Sequence, residues 1–286
     1  MDKKRNTISV VIPVYNRSEM ISRAVDSVLM QKEVDELLIV DDGSQDDTLS
    51  VCQQIAGKDK RVRVLQHEGG ANKGSGASRN LGITSAKGEL IAFLDSDDIY
   101  LENRFKHAIE LFEKYDDLDV AYDPFQTGKN EGSAKIKGVR RKVEPQDMFM
   151  NIIRGTHGMF NTNTVTIKKT AFERSGLFNE HLRLHQDTEL WLRLAYHAKM
   201  YSENFSIPVA HIFKHDENIM KNRGSRSRSA YYKASLEYFQ NKKVSRRAYF
   251  FMLRKYLRKE IELSGYLDTL KQLPRDKKYF AKLFSG

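Results

Sequence analysis

Residues 90–98 read Leu-Ile-Ala-Phe-Leu-Asp-Ser-Asp-Asp, an apolar run that ends in three carboxylates within four positions. Leu90–Leu94 has the length and content of a buried strand. Asp95, Asp97 and Asp98, side by side, repel one another unless a cation sits among them. Carboxylate oxygens suit Mg²⁺ or Mn²⁺, ions that bind one or two carboxylates together with substrate phosphates. The plain alternative is a solvated turn in which Asp98 caps the next helix.

Upstream, Ile8–Ile12, Glu36–Val40 and Val62–Gln66 have the same strand-like form. Between them Glu19–Met30, Asp46–Ala56 and Ser75–Thr84 carry apolar residues at helical spacing. Ser18 precedes the first of these, and Ser44 stands ahead of Asp46 and Asp47 in the second, as helix-start signals. This alternation predicts an α/β fold, a mostly parallel central sheet flanked by helices. Ligands of such sheets lie outside the carboxyl ends of the strands. Polar clusters fall there: Pro13–Asn16, Asp41–Ser44 and Asp95–Asp98. Asp42 is placed to accept from a base N–H, and Asp41 to bond a ribose or hold its loop, although Asp-Gly is also an ordinary turn pair. Asn72–Asn80, NKGSGASRN, is glycine-rich and opens a helix, so its backbone N–H groups and Arg79 can approach a phosphate or sugar. It lacks both the Walker ending and the dinucleotide-binding spacing. Its plain reading is a flexible linker.

Further along, Phe125–Val143 is rich in Gly, Lys and Ser without periodicity, which predicts a mobile loop. A helix is expected near Gln146–Ile153, a strand near Asn163–Ile167, a short helix around Ala171 and a helix over Asp187–His197, with Trp191 and Leu192 in its core face. Lys199–Phe213 should return to the sheet, with His211 structural. From Arg226 to about Leu263 the pattern is helical.

With 286 residues, 40% hydrophobic and 30% charged, the chain is long and apolar enough to bury a full core. The opening MDKKRNT leads into ISVVIPVY, which reads as a first strand and not a signal peptide. No apolar run approaches the roughly 20 residues of a membrane span. The lone Cys52 excludes an internal disulfide and fits a reducing cytoplasm. Net charge is +10, but from Lys221 onward 18 Lys/Arg face 5 Asp/Glu, which leaves the rest of the chain at −3. The basicity therefore speaks of the tail's partner and not of the body's chemistry.

Together these segments resemble family 2 glycosyltransferases, which share the GT-A fold. VVIPVYN resembles the family's first strand and nucleotide-binding turn, LLIVDDGSQDDT its second strand and acidic loop. NKGSGASRNLG resembles its Asn-x-Gly…Ala-Arg-Asn-x-Gly segment, and FLDSDD its Asp-x-Asp metal motif. TVTIKKTAFERSGLFNEHLRLHQDTELWLRLA resembles the segment beneath the acceptor site that ends in a Glu-Asp pair. Here the pair is Gln186-Asp187, so the first carboxylate is missing. FKHDEN resembles a His-containing segment, with Phe213 near the place of the family's Arg.

The resemblance implies a GT-A-like catalytic domain over residues 1–220, with a nucleotide-binding half to about 100 and an acceptor half beyond, followed by a basic helical extension over 221–286. It implies a nucleotide-sugar donor, a UDP-sugar above all, held by Pro13, Tyr15, Asp41, Asp42, Asn72, Gly74, Arg79, Asp95 and Ser96. Tyr15 would stack on the base. Mn²⁺ or Mg²⁺ would be held by Asp97 with Asp95 and His215. Asp187 would be the general base of an inverting transfer to a glycan or lipid-linked acceptor. A nucleotidyltransferase and a non-catalytic nucleotide- or membrane-binding module are the rival readings.

In the tail, Phe250, Leu253, Leu257 and Ile261 share a helical face beside Arg254, Lys255, Arg258 and Lys259, with Arg246 and Arg247 a turn or two earlier. That stripe either packs on the catalytic domain or lies on an anionic membrane, a peripheral place on its cytoplasmic face. Nucleic acid is not expected.

Overall fold

The apolar runs form two sheets. The computed structural model describes residues 6–139, 141–156, 158–159, 161–214, 224–272 and 279. Its strands are β1 (Ile8–Val14), β2 (Val34–Asp41), β3 (Val62–Gln66), β4 (Leu90–Phe93), β5 (Ile99–Tyr100), β6 (Val120–Tyr122), β7 (Phe125–Gly128), β8 (Lys135–Lys137), β9 (Val165–Lys168), β10 (Met200–Tyr201) and β11 (Ala210–Phe213). Its helices are α1 (Ile21–Leu29), α2 (Thr48–Ala56), α3 (Ser75–Ser85), α4 (Lys106–Lys114), α5 (Pro145–Arg154), α6 (Ala171–Ser175), α7 (Gln186–His197), α8 (Ser225–Phe239) and α9 (Arg246–Gln272).

The main sheet has the order β10-β6-β9-β4-β1-β2-β3, with β9 antiparallel to both neighbours and the other pairings parallel. Apart from the edge strand β3, its strands are buried on both faces, and the side chains sort by the two-residue period of a strand. Val11, Leu38, Val40, Ile91 and Phe93 join one apolar layer. Val10, Ile12, Leu37, Ile39 and Ala92 join the other, against α1 and α4. Cys52 of α2 is buried in this second layer. Burial, with Asp41 and Asp46 nearby, pushes its thiol up to about 12.

Several expectations change. Phe125–Val143 is not simply a loop: β7 and β8 pair antiparallel and join β11 and β5 in a second, four-stranded sheet. These strands are held by their backbone ladder and anchored by buried Phe125, Val139 and Val143, so they show little alternation. Lys199–Phe213 divides between the sheets, β10 in the main one and β11 in the second. Ser18 does not cap α1; its hydroxyl donates to Asp46 Oδ2 at 3.0 Å. Ser44 Oγ accepts the Asn16 N–H at 3.0 Å.

The described part of the tail is mostly the helices α8 and α9, and their faces are sorted by packing. Ala248, Tyr249, Met252, Leu253 and Tyr256 of α9 are buried with Leu236 and Phe239 of α8 in the same layer as Phe93 and Trp191. Of the stripe read from the sequence, Leu253 is buried and Leu257 packs at the edge of the core, while Phe250 and Ile261 stay exposed. Lys255 is half-buried and its Nζ donates to the Ile153 carbonyl. No helix among the described residues is long and apolar enough to cross a membrane.

Helix α3 lies unusually close to the sheet. A Cβ on Gly82 would stand 2.3 Å from Val11 Cγ1, on a stiff β-branched side chain of a fully buried strand. Gly82→Ala should therefore lower unfolding free energy by about 1–3 kcal/mol despite alanine's better helix propensity. Gly57 closes α2 with ordinary αR geometry and nothing nearer than 3.5 Å to a built Cβ. Gly57→Ala should be neutral or gain about 0.4–1 kcal/mol. Urea unfolding of the two variants checks the contrast, and equal effects would contradict it.

Candidate active site

Strands β1, β2 and β4 are parallel, so their carboxyl ends bring three loops to one edge of the sheet. Pro13 is buried within β1 opposite Val40. Tyr15, just beyond the strand, is 41% exposed, a ring free to meet a planar ligand. Asn16, in a left-handed conformation, ties the first loop to the second: its Oδ1 accepts the Gln45 N–H at 2.8 Å.

Both acidic residues ending β2 are buried and engaged with protein. Asp42 Oδ1 accepts the Lys73 N–H and its Oδ2 the Gly74 N–H, each at 2.8 Å. The Ser78 hydroxyl donates to Asp42 Oδ1 at 3.1 Å, and His67 Nε2 lies 3.4 Å from it. The carboxylate thus folds the glycine-rich loop over the end of β2, with Asn72 exposed at its outer side. Asp41 Oδ2 accepts from Ser44 N–H at 3.3 Å and Gln66 Nε2 at 3.0 Å. Asp41 Oδ1 has no hydrogen-bond partner among the described residues. Gly43, at φ +76, is required here: a Cβ would stand 2.4 Å from the Gly70 carbonyl oxygen.

At the end of β4, Arg79 Nη2 donates to Asp95 Oδ1 at 2.7 Å, while the guanidinium lies over the Phe178 ring, 5.5 Å from its centroid. The Asp95 N–H donates to Asn163 Oδ1 at 3.0 Å. Burial raises the Asp95 pKa; Arg79 opposes this, and the charges of Asp97 and Asp187 add to it. Ser96 is buried, and Asp97 is half-buried with its carbonyl accepting from Arg23 at 2.9 Å.

Asp98 is not a helix cap. Helix α4 begins only at Lys106, and the Asp98 carboxylate accepts from the Phe213 N–H at 2.9 Å and from Asn163 Nδ2 at 2.7 Å. Burial and the charges of Asp95 and Asp97 push its pKa well up.

Asp187 stands in the first turn of α7, half-buried, where the helix dipole favours a negative charge. Its Oδ1 accepts the Thr188 N–H at 2.7 Å. Helix α3 links the neighbourhood of Asp187 to the acidic loop: the Ser75 hydroxyl at its start donates to Gln186 Oε1 at 3.4 Å, and Arg79 one turn on holds Asp95. Gln186, beside Asp187, packs on the start of α3: a Cβ on Gly76 would fall 2.7–2.8 Å from its terminal atoms. Trp191 and Leu192 are buried in the core, and His211 is fully buried in β11 with Nδ1 3.0 Å from Gln126 Nε2. His215 lies outside the described residues.

Two residues carry more of this site than their sequence positions suggested. Asn163 spends both ends of its amide on the acidic loop. Asn80, inside the NKGSGASRNLG run, exchanges two 2.9 Å bonds with the Phe178 backbone and donates to Glu180 at 2.7 Å. An Asn inside a helical pattern was the only signal for it; Asn163 had none.

Oxygen donors that crowd and repel one another suit a hard divalent cation shared with a phosphate ligand, and Asp95 and Asp97 form such a set. Among the described residues no three His, Cys, Asp or Glu side chains converge as a complete metal cage. A cleft of about 920 Å³ lies elsewhere, beside β10 between α5 and the end of α4. Its charges are paired among themselves, Asp119 with Arg174, Asp117 with Lys199 and Glu144 with Lys142.

Residues 9–176 match the family model described as glycosyl transferase family 2. An uncharacterized glycosyltransferase of Rickettsia felis is 36% identical over 66% of this chain and 30% of its own length. Glycosyltransferase GlyG of Streptococcus pneumoniae is 40% identical over 60% of this chain and 58% of its own. The minor teichoic acid biosynthesis protein GgaA of Bacillus subtilis is 27% identical over 68% and 44%. The chain spans less than two thirds of the length of each of these relatives. Among solved structures, S. aureus TarS 1–349 in complex with UDP-GlcNAc superposes with a TM-score of 0.69 at 20% identity, over 90% of this chain and 73% of that one. That likeness shows the fold.

Asp42→Ala removes the acceptor of two backbone N–H groups and a hydroxyl at once. Hydrogen bonds to a charged group are worth about 1.5–3 kcal/mol, so stability should fall by that order. Amide exchange at Lys73 and Gly74 should accelerate well beyond the change in the core. Unchanged exchange at those two amides would show that the loop is held by something else.

Proposed function

We propose, from the premise that this chain belongs to glycosyl transferase family 2, that it moves a sugar from a UDP-sugar to an acceptor hydroxyl with inversion at the anomeric carbon. The observation that carries this reading is that α3 joins the Asp95–Asp97 loop, through Arg79, to Gln186 beside Asp187, at the carboxyl ends of β1, β2 and β4. TarS, solved with UDP-GlcNAc, supports a uridine donor, and GgaA's part in teichoic acid synthesis supports a cell-surface polymer as product.

The uridine would lie across Pro13, Tyr15 and the β2 terminus, its ring on the exposed face of Tyr15. The diphosphate would run past Asn72 and Gly74 towards Ser96. Arg79, engaged with Asp95, would orient that carboxylate more than it touches the donor. Asp97 and Asp95, with His215, are the residues to hold Mn²⁺ or Mg²⁺, and neutralisation of charge on the departing diphosphate is what such an ion supplies. Asp187 takes the proton of the acceptor hydroxyl. The acceptor oxygen bonds to the anomeric carbon as the bond to the diphosphate breaks, and that electron pair leaves with UDP. Residues 1–220 would form the catalytic unit and 221–286 an appended one. The acceptor would be a glycan, free or lipid-linked, met at the cytoplasmic face of a membrane.

Asp187→Asn keeps the shape and removes the basicity. It should leave UDP binding nearly intact and cut kcat by roughly 10²–10⁴-fold, whereas Gln186→Glu should remain active. Asp97→Ala should lose turnover and bind UDP with Mn²⁺ far more weakly. Calorimetry with UDP and turnover of a nucleotide-sugar panel check all three. Full activity in EDTA would remove the metal from the reading, and collapse of donor affinity in Asp187→Asn would remove the base.

A further inference from the structure

Helix α9 has two faces with different fates. Taken at about 100° per residue, the buried residues Ala248, Tyr249, Met252, Leu253 and Tyr256 share one side of it. Arg247, Phe250, Arg254, Arg258 and Ile261, spaced by three, four, four and three, fall within an arc of about 80° on the opposite side. All five are exposed: Phe250 by 51%, Ile261 by 39%, and the Arg258 side chain by 80%. Phe250 and Ile261 lie along one border of the arc, next to half-buried Leu257, and the three arginines along the other. No acidic residue falls inside it between Arg247 and Ile261. Glu262 stands just outside, 3.4 Å from Arg258 Nε.

We infer that this outward face of α9 docks the protein on an anionic lipid bilayer. The helix lies against the core along its inner side, so its axis is fixed and the outer stripe is presented as a rigid ridge. Two large apolar side chains flanked by three guanidinium groups match the depth profile of a bilayer surface, with rings and aliphatic groups at the acyl boundary and cations among phosphates. Arginine suits this because its guanidinium is weakly hydrated and pairs with phosphate in a bidentate way. The set differs from the one suggested by the sequence alone. Lys255 is half-buried on the Ile153 carbonyl and the Lys259 side chain is only 16% exposed, so neither belongs to the ridge. A nucleic acid would use the arginines and leave Phe250 and Ile261 idle. For its purpose the inference rests on the membrane-presented acceptor proposed above, but the contact can be measured without donor or acceptor.

The test is co-sedimentation of the full chain with vesicles of phosphatidylcholine alone or with 25% phosphatidylglycerol, at about 50 mM and 500 mM NaCl. Binding to the anionic vesicles only, weakened by salt, is expected. The triple variant Arg247→Glu, Arg254→Glu, Arg258→Glu should bind at least about a hundredfold more weakly, and Phe250→Ser about tenfold more weakly at either salt. Circular dichroism and UDP affinity should stay unchanged, since none of these residues lies in the crevice. A matched reversal on α8, of exposed Arg226, Arg228 and Lys233, should change binding by less than about threefold. The inference is overturned by no binding to anionic vesicles at low salt. It is equally overturned by an equal loss in the α8 control, which would mark bulk charge, or by a single-stranded oligonucleotide binding tighter than the vesicles. Because Asp187→Asn retains this face, loss of its turnover with vesicle binding intact would separate the reaction from the docking.

Discussion

Three carboxylates crowd the four residues that end β4, and most of the site is arranged around keeping them there. Buried carboxylates need donors that water would otherwise provide, and Asp95 and Asp98 take them from distant parts of the chain. The Asp95 carboxylate accepts from Arg79 of α3, while its backbone N–H donates to Asn163 ahead of β9; the Asp98 carboxylate accepts from the amide nitrogen of the same Asn163 and from the backbone of β11. The acidic loop is therefore the junction of the glycine-rich segment, the antiparallel strand of the main sheet and the second sheet. Removing one neutral or cationic partner leaves like charges unbalanced in a poorly solvated place. Asp97, half-buried between them, has its carbonyl held by Arg23.

A second constraint joins the two halves of the crevice. Asp42 folds the glycine-rich loop, the loop opens α3, and α3 touches both Asp95 through Arg79 and Gln186 through Gly76. The base candidate thus sits one residue from a side chain wedged against the segment that would meet the donor. Gln186 keeps this contact as a neutral amide. A carboxylate there would add a further negative charge beside Asp187.

The central architecture was legible because β1, β2 and β4 are buried on both faces, which writes them as unbroken apolar runs separated by amphipathic helices. The acidic loops and the base candidate were legible because charges at strand ends and helix starts stand out against such runs. The second sheet was not, since β7 and β8 are held by main-chain bonds that leave little trace in side-chain identity. Asn163 was not, since its role comes from two residues more than sixty positions away. The α9 stripe was half legible: spacing by three and four defines a face, but only the core decides which of two adjacent faces turns inward. Leu253 went in and Phe250 stayed out.

The lone thiol of Cys52 has a consequence of another kind. It is wholly buried in α2 and its pKa is pushed up to about 12 by burial and by the neighbouring carboxylates, so thiolate is scarce wherever the native state holds. Alkylation and oxidation become reactions of the opened chain alone. The protein carries a single built-in chemical clock, whose rate reads how often the layer against α1 and α2 comes apart.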